Sequence, residues 1–277
     1  MGSRIAPDDN DIVVWRLDES GVPFVNSSTS PSAPSGAVSN LTTLSGTMQL
    51  QQPSIFAATG TNTCIVFNAT NSGSPRNFIS GANNFEPAVP FTVSCWIYLR
   101  TYNNSGFVQH LFNKQQTAGV WSGGTFGAIT MQNQSTGSST YAISIAGLTQ
   151  TVGFWTMPLH MWCHVGVTYD GATCCNYLNG NLVQQWAATG AVNWAGHGPW
   201  FFGAIPSGSG NPEESAVAVS DVRVANVARP QSYFQNIYIT AVFTNTTGRP
   251  IYTYYKLRAF DTAWYVQQGT LSLEQGA

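Results

Sequence analysis

Charged side chains are scarce in this chain of 277 residues. They make up 8% of it, whereas soluble domains usually contain about 25%. The net charge is −2, and the sequence has only two lysines, Lys114 and Lys256. A chain without a basic patch cannot neutralise phosphates, so we expect neither nucleic-acid binding nor binding to anionic membranes.

Long apolar runs are also missing. No stretch approaches the ~20 consecutive apolar residues that cross a bilayer, so we expect no membrane insertion. The chain starts with MGSRIAPDDNDIVVW, which carries Asp8, Asp9 and Asp11 where a secretory leader would have its apolar core. We therefore expect no signal peptide in this sequence.

Cysteine is present but in no arrangement typical of a disulfide framework or a metal site. The five cysteines are an odd number and form no C-x-x-C motif. Cys163 and His164 are neighbours, but adjacent side chains on a strand point to opposite faces. We expect reduced structural cysteines, no metal site at them, and no Cys–His nucleophile.

What the sequence does have is alternation of period two. The stretch FTVSCWIYL (91–99) places Phe91, Val93, Cys95, Ile97 and Leu99 on one face. The stretches TCIVFNA (63–69) and YAISIAGL (141–148) alternate in a similar way. Hydrophobic residues make up 43% of the chain, which is enough for a sizeable core. This pattern predicts an all-β sandwich.

Residues 160–186, HMWCHVGVTYDGATCCNYLNGNLVQQW, predict three consecutive antiparallel strands. Asp170-Gly171 and Asn179-Gly180 supply the positive φ angles of tight hairpin turns. Cys174 and Cys175 then point to opposite sides of the middle strand.

The end of the chain has a different pattern. We expect one short helix near 229–237, with Phe234 and Ile237 facing the core. The strand-like stretch IYTYYKLRAFDTAWYV (251–266) has tyrosines on both faces and needs a partner surface. We interpret 239–277 as a C-terminal appendage that docks on this domain or on a neighbouring subunit.

Several stretches, taken in their order along the chain, resemble a laminin-G-like domain of the concanavalin A-like lectin type. The most typical is MWCHVGVTYDGATCCNYLNGNLV (161–183), and VVWRLDESG (13–21) resembles the opening strand. The stretches GPWFFGA (198–204) and AVAVSDVRVANVARPQSYFQNIY (216–238) resemble the last strands and the helix after them. The resemblance covers roughly 10–238. It implies a jelly-roll sandwich of two antiparallel sheets over 1–238, with the opening and closing strands close together.

The family includes lectins, protein-binding modules, glycosidases and virion components, so fold alone does not decide function. Hydrolases of this fold usually place their carboxylates in a Glu-x-Asp-x-x-Glu pattern, which is absent here. Glu213 and Glu214 are adjacent in a Ser/Gly-rich loop. We therefore expect no enzyme activity.

The resemblance also implies where a calcium ion could bind. Asp18, Glu19 and Asp221 offer hard oxygen ligands near the opening and closing strands. The two aspartates could equally be turn or cap residues. We expect no other cofactor.

Glycan binding requires aromatic platforms beside polar groups in loops. Tryptophans in loops usually fill the core of a large sandwich, so the two interpretations compete at each position. The candidate glycan-binding residues are Tyr102, Asn103, Asn104, Trp121, Trp194 and Trp200.

A low-charge surface of Ser, Thr, Asn and Gln without an export signal fits a virion protein, which is made in the host cytoplasm. We expect a non-catalytic structural component of a virion: a surface-exposed decoration, fibre or tail protein of a tailed bacteriophage that could aid attachment to host glycans. Its expected partners are other virion proteins, copies of itself and a host surface polysaccharide. The alternative is a dedicated carbohydrate-binding adhesin, and a glycosidase ranks third.

Overall fold

A computed structural model gives the fold of most of the chain, and strands predominate in it. The structure describes residues 4–46, 48–56, 62–68, 77–81, 85–101, 110–116, 127–133, 140–148, 152–194, 197–203 and 216–243. Within these ranges it has fifteen strands and two helices, α1 (Gly36–Ser39) and α2 (Gln231–Phe243).

Eight strands form the first sheet. Their spatial order is β13 (Asn181–Ala187), β12 (Thr173–Leu178), β11 (Trp162–Tyr169), β6 (Phe91–Leu99), β15 (Val217–Ala225), β4 (Cys64–Phe67) and β3 (Gln49–Gln52). The eighth strand, β1 (Asp11–Trp15), also pairs with β15, so the opening and closing strands are adjacent as predicted.

Seven strands form the second sheet. Their order is β10 (Val152–Thr156), β9 (Thr140–Ile145), β8 (Gly127–Asn133), β7 (His110–Gln116), β14 (His197–Phe202), β5 (Phe78–Gly81) and β2 (Leu41–Ser45). The paired strands of both sheets are antiparallel. The predicted all-β sandwich of two antiparallel sheets is confirmed.

The main core lies between the sheets, and β6 shows why. Phe91, Val93, Cys95, Ile97 and Leu99 all face this core, as their alternation predicts. The opposite face of β6 is also buried, because Trp96 lies beneath α2 and contacts it there. A strand in the middle of the sheet, covered on both sides, is apolar almost throughout.

The predicted three-strand meander is confirmed by the register of β11, β12 and β13. Tyr169 pairs with Cys174, and Cys174 pairs in turn with Trp186. Asn179 and Gly180 have φ angles of 51° and 81°, which is the left-handed conformation that this tight turn requires. At the other turn, Asp170 Oδ1 accepts the backbone N–H of Thr173 at 2.6 Å.

All five cysteines lie in the described ranges, and all are free thiols. Cys174 is buried in the main core, whereas Cys175, on the opposite side of β12, is half-buried. Burial raises the pKa of Cys64 and of Cys174 to about 12. These thiols are therefore protonated structural residues, as predicted.

Helix α2 is longer than the sequence predicts. It ends at Phe243 instead of near residue 237, so the expected domain boundary at 238 falls within the helix. β-Branched residues such as Ile239 and Val242 disfavour a helix, which makes the extension hard to predict. Packing overrides this preference, because Ala241 is buried with Ile237 and Trp96. No helix in the described ranges is long and apolar enough to cross a membrane.

Candidate ligand-binding site at one end of the sandwich

The structure separates the six candidate glycan-binding residues. Tyr102, Asn103, Asn104 and Trp121 lie outside the described residues. Trp194 and Trp200 are described, and they have different environments.

Trp200 belongs to the core between the sheets. Only 1% of it is exposed, and its ring stacks on Phe85 at 5.7 Å and meets the edge of Trp15 at 6.4 Å. Its indole Nε1–H donates to the Phe85 carbonyl at 3.3 Å. A ring enclosed in this way has no face for a sugar, so Trp200 is removed from the candidates. Trp200 lies on β14 and is close to a loop only along the sequence, which is why it was a candidate.

Trp194 lies in the loop that follows β13 and is partly exposed. Its inner side packs on the main core and contacts Phe91, with 6.2 Å between the ring centroids. Lys114 Nζ lies 6.0 Å from the centroid of the Trp194 ring and also 6.0 Å from that of Trp200. Trp194 is therefore supported from below while part of it remains open to solvent.

The loop that carries Trp194 is held by hydrogen bonds to its backbone at this end of the sandwich. The Asn193 N–H donates to the Ala146 carbonyl at 2.8 Å. Tyr169 Oη donates toward the carbonyl oxygens of Gly190 (2.9 Å) and Gly171 (3.0 Å). These contacts join three loops, so the position of Trp194 is fixed before any ligand arrives.

Close packing of glycines brings the two loops together. Gly147 has a φ of +89°, and a Cβ there would come within 2.3 Å of the Ala191 carbonyl oxygen. Gly190, at φ +128°, would place a Cβ 2.6 Å from the Gly147 carbonyl oxygen. Both positions require glycine, and the sequence alone gives no sign that they meet.

Lys114 adds a positive charge behind the aromatic rings. It is fully buried on β7, and this burial lowers its pKa to about 8, while Glu86 acts in the opposite direction. At neutral pH the amine therefore remains mostly protonated. The sequence analysis does not place Lys114 in the site. The signal that could have indicated it is that the chain has only two lysines and that Lys114 lies in a strand.

The three carboxylates proposed for calcium are not arranged as a ligand set. Arg4 Nη1 lies 2.5 Å from Asp18 Oδ2, and Arg4 Nε lies 4.0 Å from Asp221 Oδ1. Asp221 Oδ2 also pairs with Arg223 Nη2 at 3.0 Å. Glu19 Oε1 instead accepts a backbone N–H at 2.9 Å. Arginines thus compensate the charges of Asp18 and Asp221. Among the residues that the structure describes, no three His, Cys, Asp or Glu side chains are grouped to share a metal ion.

Cys163 and His164 face opposite sides of β11. Cys163 lies in the main core, whereas the His164 ring lies 5.1 Å from Trp96 and 6.0 Å from Phe234 beneath α2. Burial raises the pKa of the Cys163 thiol to about 11 and lowers the pKa of His164 to about 3. A nucleophile–base pair needs contact and pKa values near neutrality, so this pair cannot form one. Glu213 and Glu214 lie outside the described residues.

Acidification is expected to destabilise the fold through His164. The unfolded chain binds a proton at His164 below its ordinary pKa of 6.5, whereas in the folded protein the pKa is about 3. Stability is therefore unaffected by this group above pH 6.5 and falls by about 1.4 kcal/mol per pH unit below it. The free energy of unfolding, measured by urea titration, should fall by about 2 kcal/mol between pH 6.5 and pH 5.

A substitution isolates this effect. His164→Leu should remove most of the pH dependence between 6.5 and 5, because leucine cannot take up a proton when the chain unfolds. The substitution loses no hydrogen bond at Nδ1, which has no partner. The exposed His160 has a φ of 58°, so His160→Asn is a matched control that keeps the wild-type slope. An unchanged slope in His164→Leu would contradict the assignment.

Together, the two antiparallel sheets and the loop-borne aromatic define a lectin-type jelly roll with a candidate ligand site at one end. Residues 60–233 match a laminin-G family model described as the concanavalin A-like lectin/glucanases superfamily. The match covers more than half of the sequence, and the chain belongs to this superfamily. No curated protein matches the sequence.

Solved structures with a similar fold include binding domains of botulinum neurotoxins. One is the serotype D/C VPI 5993 binding domain, with a TM-score of 0.60 and 12% identity over 86% of this chain and 53% of that one. Another is the DC binding domain in complex with rat synaptotagmin II, with a TM-score of 0.60 and 11% identity over 87% and 54%.

A third is botulinum neurotoxin type C, which depends on interaction with two ganglioside molecules to enter cells. Its TM-score is 0.59 at 11% identity, over 86% of this chain and 53% of that one. The chain thus spans about half the length of these neurotoxin structures. Identities this low concern the fold alone.

Proposed function

We propose that this chain is a non-catalytic binding domain on the surface of a virion, where it recognises a glycan through the loop that carries Trp194. One observation carries the binding proposal: a partly exposed indole is held on a braced loop above a buried lysine. A fixed aromatic face loses little conformational entropy when a sugar stacks on it.

The similar structures support attachment as the type of function. One neurotoxin binding domain is in complex with rat synaptotagmin II, and cell entry of neurotoxin type C depends on interaction with two ganglioside molecules. A binding role is compatible with the chemistry of the described residues, because Asp8, Asp11, Asp18 and Asp221 all form ion pairs with arginines. Carboxylates paired in this way are poor acid–base catalysts of glycoside hydrolysis.

The virion part of the proposal has separate support. Only 8% of the residues are charged, so the surface is covered by neutral polar groups. The family of laminin-G-like domains that the sequence resembles includes virion components. We favour a decoration, fibre or tail protein of a tailed bacteriophage, and a dedicated adhesin for a host polysaccharide remains the alternative.

A glycan array followed by calorimetry tests the binding proposal. We expect the protein to bind at least one bacterial surface polysaccharide, and Trp194→Ala to weaken that binding by about tenfold or more. Trp162→Ala is the matched control, since Trp162 is also a half-buried tryptophan but lies on the outer face of the first sheet. Silence across the array, or equal losses in both variants, would refute the glycan site.

Mass spectrometry and immunogold electron microscopy of purified particles test the location. We expect the protein on the particle surface in a fixed stoichiometry. Its recovery only as an unassembled protein would refute the virion proposal, and glycan binding without particles would favour the adhesin.

A further inference from the structure

The outer face of the first sheet carries an apolar patch where α2 ends. Trp162 on β11 lies opposite Tyr98 on β6, with their rings 5.7 Å apart. Tyr238 of α2 stacks on Trp96 at 6.0 Å, and Trp96 precedes Tyr98 on the same face of β6. Val242 follows Tyr238 by about one helical turn, so both lie on the same side of α2.

We name this surface the Trp162 patch, and it comprises Tyr98, Trp162, Tyr238 and Val242. Val242 is 36% exposed, and the three aromatic residues are partly exposed. All four side chains are uncharged. An apolar surface of this kind usually contacts another segment or molecule.

The chain itself supplies a suitable occupant. Helix α2 ends at Phe243, one residue beyond Val242, and residues 244–277 continue from there. Seven extended residues, 244–250, span up to roughly 25 Å, so the stretch after them can reach the whole patch.

Residues 251–266 have the composition of a segment that is buried. The stretch contains six aromatic residues. They are Tyr252, Tyr254, Tyr255, Phe260, Trp264 and Tyr265. Solvated tails are instead poor in aromatic residues and rich in charge.

We propose that residues 251–266 dock on the Trp162 patch of the same chain. Covalent linkage favours this occupant over a second copy, because a short linker gives an effective concentration of about millimolar at the patch. Docking there is independent of the Trp194 loop, since the patch belongs to the outer face of the first sheet. It locates the partner surface that the tyrosine-rich stretch requires.

Hydrogen exchange of the full-length protein tests this proposal. Backbone amides of 251–266 should exchange at least tenfold more slowly than in an unstructured peptide of the same sequence. Trp162→Ala and Val242→Asp, singly and together, should remove that protection, because the first removes apolar contact area and the second buries a charge in the contact. Leu182→Asp is the control: Leu182 is an exposed apolar residue on β13, outside the patch.

Three results would overturn the proposal. Unprotected amides in the wild type would show that the segment does not dock. Equal protection in wild type and patch variants would place its contact elsewhere. Protection that disappears on dilution, together with a dimer in light scattering, would identify a second copy as the occupant. A preserved melting transition in all variants confirms that the substitutions leave the sandwich folded.

Discussion

Replacing Asp11 with alanine is expected to lower the free energy of unfolding by about 3–5 kcal/mol. Asp11 is 1% exposed and lies at the start of β1. Its carboxylate accepts from Arg223 Nη1 at 3.3 Å, Arg229 Nη2 at 2.8 Å and Tyr233 Oη at 3.3 Å. Removing it leaves two buried guanidinium groups with less compensating charge, and this uncompensated burial is the source of the cost.

The loss should be large because the network joins distant parts of the chain. Arg229 also forms a bidentate pair with Asp8, at 2.7 and 2.5 Å, and lies 4.3 Å from the Tyr233 ring centroid. Arg223 donates to the backbone carbonyl of Ile5. The network therefore fastens the N-terminal segment to β15 and to the start of α2.

Urea unfolding followed by fluorescence measures the effect of Asp11→Ala as a shift of the midpoint at constant slope. Asp9→Ala is the matched control, since Asp9 is exposed and two residues away, and it should change stability by less than about 0.5 kcal/mol. Equal stability of both variants would mean that the pairs around Asp11 contribute nothing to the fold.

Replacing Trp200 with alanine is expected to cost about 3–5 kcal/mol as well, because it leaves a cavity in the main core. Trp200 contacts Trp15, Phe85 and Phe112, with ring centroids 5.7 to 6.5 Å apart. The surrounding rings are fixed by both sheets and cannot collapse into the space. Thermal unfolding measures the loss.

Comparison with Trp194→Ala makes this prediction specific. Trp194 is half-buried, so its removal should destabilise the fold less while weakening glycan binding more. Folded Trp200→Ala protein should bind glycan with wild-type affinity. A Trp200→Ala variant that keeps its stability but loses binding would return Trp200 to the site and contradict its placement in the core.

The strands could be predicted because their patterns are local. In β6 every second residue faces the core, and in the meander the Asp-Gly and Asn-Gly turns set the strand lengths. The end of α2 could not be predicted in this way. Its last turn is helical because Ala241 packs against Trp96, a residue far away in the sequence.

The candidate site was only partly predictable. Trp194 and Trp200 look alike in sequence, since both are tryptophans near polar stretches. The pairing of β14 with β7 places Trp200 beside Lys114 in the core, whereas Trp194 lies on the braced loop. Asp18 and Asp221 were rightly placed near each other, but the arginine between them was not foreseen.

The sequence by itself determined the all-β class and the sandwich, because alternation and turn residues act over a few neighbouring positions, and the resemblance of its stretches to laminin-G-like domains indicated the family. Only the tertiary structure decided which tryptophan is open to a ligand, which carboxylates are neutralised by arginine and which face of the first sheet α2 covers. Those properties depend on contacts between residues as far as 218 positions apart, and no local pattern records such contacts.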